Sequence, residues 1–281
     1  MSNSRDVLST IFQFLPSKNK TEVLTSSKTL PDINLLTDIP DLDNKKVCDS
    51  FTEDNFKILM KNTNLDRQKL FNCVIRRRLN IPYEIVKILL DDPRVNPSAN
   101  HNEAIIRASY NGHTDIVKLL LTDPRVNPSD EDNEAIIWAS REGHTEVVKL
   151  LLKDSRVNPS DQNNYAIRMA SINGHTEIVK LLLTDSRVDP SVENNEAIIF
   201  ASEDGHTKIV KLLLGDPRVN PSDQNNEAIR YASKNGHTKI VKLLLGDPRV
   251  KDLGVPLGDS SLVRSFDFDF ETYFKNIYVN E

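Results

Sequence analysis

A block of identical spacing recurs five times in this chain and limits the folds that it can adopt. The block reads Gly-His-Thr, an acidic residue or lysine, Ile or Val, then Val-Lys-Leu-Leu-Leu, and it starts without insertion at Gly112, Gly143, Gly174, Gly205 and Gly236, a period of 31 residues. A unit of this length cannot bury its own apolar face and becomes stable only when neighbouring units stack. We therefore expect an elongated repeat array and not a compact globule.

Each repeat predicts two helices, which we call helix A and helix B. In the first full repeat, residues 103–111 form helix A, because small and apolar residues recur there at the spacing of one helix face. Gly112 ends helix A, since glycine readily adopts the left-handed conformation of a helix C-terminus. Thr114 is the predicted N-cap of helix B, and Pro124 and Pro128 stop that helix before the next repeat.

The repeat period also suggests how the chain is divided. Five full repeats occupy residues 99–253, and residues 46–98 are expected to form degenerate capping repeats. One period before the first full repeat, Val74 to Leu90 keeps the apolar pattern, although Ile81-Pro82 replaces Gly-His. Residues 1–45 are expected to form an N-terminal helical segment with a linker, and residues 254–281 a C-terminal cap or tail.

Composition argues against several classes of protein. The net charge of -5 and the pI near 5.8 disfavour nucleic acid and anionic membranes as partners. No apolar run approaches the roughly 18 residues of a membrane span, and the N-terminus lacks the pattern of a signal peptide. Only Cys48 and Cys73 are present, so we expect no disulfide and a cytoplasmic or nuclear location.

The order of these features resembles the ankyrin repeat over roughly residues 52–253. The 31-residue spacing looks like that of ankyrin units encoded by large DNA viruses of protists and by some protists, for which host cytoplasm would be the location. The usual Thr-Pro-Leu-His reads Glu-Ala-Ile-Ile at 103–106, and Gly-Ala-Asp reads Asp-Pro-Arg at 123–125. The resemblance implies an all-α solenoid of stacked helix-turn-helix units that binds proteins on a concave face of first helices and loops.

Comparison of the repeats with one another separates buried from exposed columns. The columns that begin at Ala104 and Ile105 do not change, as a buried face requires, whereas the columns that begin at Arg107 and Tyr110 vary in size and charge. Positions four and seven residues after Glu103 lie on the helix A face away from the core. We call this face the helix A stripe. Its predicted partner-binding residues are Arg107, Tyr110, Trp138, Arg141, Tyr165, Met169, Ile172, Phe200, Glu203, Tyr231 and Lys234.

The apolar members of the helix A stripe allow two interpretations. Large exposed apolar patches usually mark interaction sites, and aromatic and arginine residues are frequent binding hot spots. Alternatively, the bulky side chains that begin with Trp138 pack between adjacent helices as additional core.

Other repeated residues are interpreted as structural. Equivalent histidines in stacked helices lie roughly 8–10 Å apart, too far to share one zinc ion, so we expect them to tie helix A to helix B. Asp123 and Arg125 recur in every loop and are expected to pair there. No phosphate-binding loop, nucleophile motif or metal-ligand spacing occurs, so we predict no enzyme, catalytic residue, metal or cofactor.

Both ends of the chain carry further signals. Near the N-terminus, an amphipathic helix resembles the start of an F-box, the module that docks substrate adaptors onto cullin-type ubiquitin ligases. Its possible docking residues are Leu8, Ile11, Phe12, Leu15 and Pro16, and the alternative is a helix that packs on the first repeat or is partly disordered. Near the C-terminus, six aromatic residues fall between Phe266 and Tyr278, which suggests a cap on the last repeat or a contact with another molecule.

These observations favour a non-enzymatic, monomeric scaffold that binds one or more proteins on the helix A stripe. The alternatives are a ubiquitin-ligase substrate adaptor that uses the N-terminal segment and an oligomeric structural protein that uses the aromatic tail.

Overall fold

The computed structural model describes residues 66–76 and 83–250, and this part of the chain contains twelve α-helices and no strand. The chain divides into two compact units, with the boundary between Ala135 and Ile136. In chain order the helices are α1 (Arg67–Ile75), α2 (Tyr83–Leu90), α3 (Ala99–Tyr110), α4 (Thr114–Leu121), α5 (Asp130–Glu142), α6 (Thr145–Leu152), α7 (Asp161–Ile172), α8 (Thr176–Leu182), α9 (Val192–Glu203), α10 (Thr207–Leu214), α11 (Asp223–Lys234) and α12 (Thr238–Leu245).

The first unit contains two helical hairpins, α1 with α2 and α3 with α4. Helix α1 packs against α3, and α2 packs against α4, so like helices lie side by side. Asp66 caps α1 by accepting a hydrogen bond from the Lys69 backbone N–H at 3.0 Å. Cys73 is fully buried in α1 and disulfide-bonded, so the expectation that the chain forms no disulfide is wrong.

The second unit repeats the same arrangement. Its first helices α7, α9 and α11 pack in sequence, and so do its second helices α6, α8, α10 and α12. The unchanging columns form the core between these layers: Ala166, Ile167 and Ala170 are fully buried, as are Ile178, Val179 and Leu182. The sequence therefore predicted the buried face of both helices correctly.

The turn between the paired helices depends on glycine. Gly112 has φ of 74°, the left-handed region that side chains disfavour. Its neighbour His113 donates its backbone N–H to the Ala108 carbonyl at 2.9 Å, which closes the end of α3. The predicted role of Thr114 is wrong: His113 is the N-cap, Thr114 is the first residue of α4, and its hydroxyl lies 3.4 Å from the Gly112 carbonyl as a donor.

A left-handed turn precedes helix A in each full repeat, which the sequence did not predict. Residues 100–102 have φ between 54° and 56°, and the right-handed part of α3 starts at Glu103. The last residue of each turn is an asparagine with at most 9% of its surface exposed: Asn102, Asn133, Asn164, Asn195 and Asn226. Asparagine tolerates this conformation better than most residues.

Three of these asparagines, Asn102, Asn164 and Asn195, connect the turn to the loop that follows helix B. Asn195 accepts the Asn220 backbone N–H at 2.7 Å and donates to the Asp223 carboxylate at 2.8 Å. Asn164 accepts the Asp189 backbone N–H at 2.8 Å. The asparagine therefore holds both ends of its repeat together and fixes the point at which helix A begins.

Candidate functional site

The structure places the helix A stripe on the partly accessible side of the first helices. In the first unit, Arg107 is exposed and Tyr110 is half-buried on α3. In the second unit, Arg141 and Lys234 are exposed, and the half-buried members are Trp138, Tyr165, Met169, Ile172, Phe200, Glu203 and Tyr231. Each apolar side chain of the stripe therefore packs partly on its surroundings and keeps part of its surface open.

On α5, an arginine covers the tryptophan ring. The Arg141 guanidinium carbon lies 5.0 Å from the centre of the Trp138 ring, within the range of a cation–π contact. The two residues are three positions apart on one helix, so they share a face. Arg141 also lies 3.7 Å from the Glu142 carboxylate. This stacking fixes an aromatic surface and a positive charge at the same place.

On α7, a second arginine stacks on an aromatic ring and links two repeats. Arg168 lies 5.3 Å from the centre of the Tyr165 ring and donates through Nε to Glu196 of the next repeat at 2.7 Å. Arg168 and Glu196 were not among the predicted site residues. The signal was present, because Arg168 stands in a column that carries isoleucine in three repeats, at Ile106, Ile137 and Ile199, and arginine again only at Arg230.

On α11, the stripe ends with a tyrosine bound to a carboxylate. The Glu227 carboxylate accepts the Tyr231 hydroxyl, and this hydrogen bond raises the pKa of Tyr231 above its ordinary value. Lys234, three residues later, is exposed. The stripe of the second unit thus begins with an aromatic residue, Trp138, on α5. It ends on α11 with the hydrogen-bonded Tyr231 and the exposed Lys234.

The side chains of three repeated histidines, His175, His206 and His237, connect successive repeats. His206 Nε2 lies 2.9 Å from the Ile172 carbonyl, and His237 Nε2 lies 2.8 Å from the Glu203 carbonyl, both at the end of the preceding helix A. We expected each histidine to tie its own two helices, and that part of the interpretation is wrong for the side chain. Because the bonded carbonyls belong to stripe residues, the histidines hold the end of the stripe in position.

The Asp–Arg pairs of the loops also connect repeats, as well as pairing as predicted. Arg187 pairs with Asp185 at 2.6 Å and donates to the Val157 carbonyl of the preceding loop at 2.9 Å. In the first unit, Arg94 donates to Asp92 and holds the pKa of that carboxyl at about 2. Hydrogen bonds from the arginine two residues later lower the pKa of Asp123, Asp154, Asp185, Asp216 and Asp247 in the same way.

Residues 66–76 and 83–250 contain neither a metal-ligand cluster nor a membrane-spanning helix. These residues contain no group of three or more His, Cys, Asp or Glu side chains that could hold a metal ion. None of the helices in this part of the chain combines the length and apolar character of a membrane span. The predicted F-box-like residues Leu8, Ile11, Phe12, Leu15 and Pro16 and the aromatic tail lie outside the described residues.

Comparison with protein families gives one match that covers most of the array. A family model described as ankyrin repeats (3 copies) matches residues 70–163 and again residues 167–252. The search of curated proteins found no match to this chain.

Proposed function

Because the chain belongs to the ankyrin-repeat family, we propose that it is a non-enzymatic scaffold that binds a partner protein through the helix A stripe of its second unit. Ankyrin repeats are generic protein-interaction modules, which supports this class of function. The partner, and the face that it contacts, are the specific part of the proposal. A cytoplasmic or nuclear location belongs to the same proposal and is tested by microscopy of the tagged chain.

The observation that carries the proposal is the contrast between neighbouring columns of helix A. Ala166 and Ile167 are fully buried and do not vary between repeats. Trp138, Met169 and Phe200 occupy a column that varies, and all three are half-buried. A position that served packing alone would have no need for large apolar side chains with open surface. Aromatic side chains of this kind contribute much of the energy in protein interfaces.

The stripe also suggests the chemistry of the partner. Trp138 and Tyr165 present ring faces beside Arg141 and Arg168, so apolar contact area and positive charge alternate along the surface. Glu196 already pairs with Arg168. We therefore expect a partner with an apolar anchor and an acidic group near Arg141.

The test is a pair of double variants of the full chain used as bait in affinity purification. Trp138→Ala with Phe200→Ala should weaken partner capture by more than about tenfold, since hot-spot truncations each cost roughly 2 kcal/mol. The control is Tyr83→Ala with Ile88→Ala, which removes the two large apolar side chains that are most exposed among the described residues, 37% and 47%. Equal capture by both double variants would contradict the proposal, and a fall in Tm of more than about 10 °C in the first would assign its side chains to the core.

The second candidate, a ubiquitin-ligase substrate adaptor, is favoured by the spacing of Leu8, Ile11-Phe12 and Leu15-Pro16. Deleting residues 1–45 should then remove ligase subunits from the captured proteins while other partners remain. Ligase subunits absent from both samples would exclude this function. Light scattering at micromolar concentrations tests the proposed monomer, and a dimer or larger species would favour the oligomeric alternative.

A further inference from the structure

The second helices of the last two repeats differ in charge from those of the repeats before them. Helices α10 and α12 both read Thr-Lys-Ile-Val-Lys-Leu-Leu-Leu and contain no acidic residue. At the same place α6 carries Glu146 and α8 carries Glu177. A lysine in the first turn is disfavoured, because the N-terminus of a helix already carries partial positive charge.

Four lysines of α10 and α12 lie on one surface, which we call the lysine cluster. Lys208 and Lys211 are three residues apart and therefore lie on the same side of α10, and Lys239 and Lys242 do so on α12. All four are exposed, and α10 packs directly against α12. Packed helices lie about 8–10 Å apart, so the four lysines lie within a small area.

An earlier repeat shows how a lysine at these positions can be balanced. In α6, Lys149 pairs with Glu146 at 2.6 Å. In α10, Lys208 occupies the place of that glutamate, so the same pairing within the helix is not available to Lys211. Gly215 and Gly246 end the two helices, where the earlier repeats carry Lys153 or Thr184, and both glycines are exposed. Neither glycine has a side chain that could cover the cluster.

An acidic segment of suitable charge follows in the same chain. Asp267, Asp269 and Glu271 place three carboxylates within five residues, alternating with Phe268 and Phe270. The 16 residues from 251 to 266 join it to the end of the described array, and an extended chain of that length reaches up to about 50 Å. Because the two sites are on one chain, even weak pairing meets an effective concentration in the millimolar range.

We propose that the lysine cluster is a binding site for the acidic segment 267–271 of the same chain. Alternate residues of an extended chain lie on one side of it, so three carboxylates at this spacing suit the lysines of α10 and α12. A nucleic acid is the less suitable occupant, since its phosphates would meet a chain of net charge -5. This site lies on second helices, so it is independent of the proposed function of the helix A stripe.

Limited digestion of the full chain with chymotrypsin tests the proposal, because the tail contains the cleavable residues Phe266, Phe268 and Phe270. At low salt, Lys208→Glu with Lys239→Glu should speed tail cleavage about fivefold, the change in equilibrium expected from loss of a few exposed ion pairs. The matched control is Lys149→Glu with Lys180→Glu, which changes charge equally on α6 and α8 and should leave the rate unchanged. Salt at 0.5 M should bring all three proteins to one rate.

Charge exchange distinguishes direct pairing from a general effect of charge. Asp267→Lys with Asp269→Lys in the tail should reverse the order of rates, so that cleavage of this altered tail is slower in the Lys208→Glu, Lys239→Glu background than in the native background. Comparing each tail only with itself removes any preference of the protease for its sequence. Equal cleavage rates in the native chain and the lysine-cluster variant, or an equal effect of the control variant, would overturn the proposal and leave the cluster to an outside partner.

Discussion

The first helix pair and the regular repeats differ in the side chain that accepts a backbone N–H of the loop after helix B. The N–H groups are at equivalent positions of these loops. In the first helix pair, Gln68 accepts the Asn96 N–H at 2.6 Å and donates to the Asn96 carbonyl at 3.2 Å. In the regular repeats an asparagine does this, as when Asn102 accepts the Asn127 N–H at 2.7 Å. One period before Asn102 the chain has Phe71, which is buried.

The difference shows that the hydrogen bond is required and the residue that makes it is not. Gln68 reaches the loop from an ordinary right-handed helix that Asp66 caps. Asn102 reaches the loop from the end of a left-handed turn. The left-handed conformation costs each L-residue about 1–2 kcal/mol. The regular repeats therefore accept backbone strain to place a short amide, whereas the first pair uses a longer side chain and places Phe71 in the core.

The largest effect is expected from removing one asparagine of the regular type. Asn195→Ala loses two hydrogen bonds at a site that is 4% exposed, which should lower the free energy of unfolding by about 2–4 kcal/mol. Asn194→Ala is the control, because Asn194 has the same left-handed backbone but is exposed. Urea unfolding of the full chain measures both. Similar midpoints for the two variants would mean that the backbone conformation, and not the hydrogen bonds, determines the stability.

The Gly-His turn, which the first pair lacks, should give the next largest effect. A methyl group on Gly174 would lie 2.6 Å from Cε1 of His206, so Gly174→Ala should cost about 2–3 kcal/mol through both strain and displacement of the ring. Gly236 has nearly the same φ, 76° against 78°, and nothing lies within 4 Å of its added methyl group. Gly236→Ala should therefore cost only about 1 kcal/mol. Equal losses in thermal unfolding would show that the histidine ring moves aside without cost.

Removing the Gln68 amide of the α1–α2 pair should lower the free energy of unfolding by a smaller amount. Gln68→Ala breaks the two exposed hydrogen bonds to Asn96 and a third, part-buried one to the Asn72 side chain at 3.0 Å. Because water replaces the exposed pair, we expect a loss of about 0.5–1.5 kcal/mol. Lys69→Ala, on the next position of α1 and exposed, is the control for helix propensity. A loss as large as that of Asn195→Ala would show that water does not replace the Gln68 amide at Asn96. Gln68 and Asn195 would then contribute equally to stability.

The Asp–Arg pairs are common to both regions, and each should contribute least. Because the folded-state pKa of Asp185 is lowered, its pair stabilises the fold above the unfolded pKa and is lost as the pH falls through the folded pKa. Asp185→Asn should therefore reduce stability by roughly 0.5 kcal/mol at neutral pH. That difference should shrink in acid unfolding monitored by circular dichroism, as the pH falls below the ordinary range of an aspartate carboxyl and through its lowered pKa. A difference that stays constant over this fall in pH would assign the effect to packing and not to charge.

The sequence predicted the buried face of the fold more completely than it predicted the candidate site. The unchanging Ala and Ile columns predicted the buried face, which the structure confirms with Ala166 and Ile167 fully buried. The helix A stripe could be selected because its columns vary, yet Arg168 and Glu196 were missed. A contact between residues of two repeats depends on how far one helix is displaced along the next. The spacing of residues in the sequence does not give that displacement.

The sequence by itself determined the 31-residue unit, the helix pair inside it and the side of each helix that faces inward, because apolar periodicity and glycine position act within one unit. Only the tertiary structure decided that residues 100–102 form a left-handed turn and that Asn195 accepts a backbone N–H of the following loop. It also decided that the side chains of His175, His206 and His237 reach the preceding helix A. These features satisfy backbone groups that become neighbours only when the chain has folded, and a buried N–H or C=O must find its partner wherever packing places one.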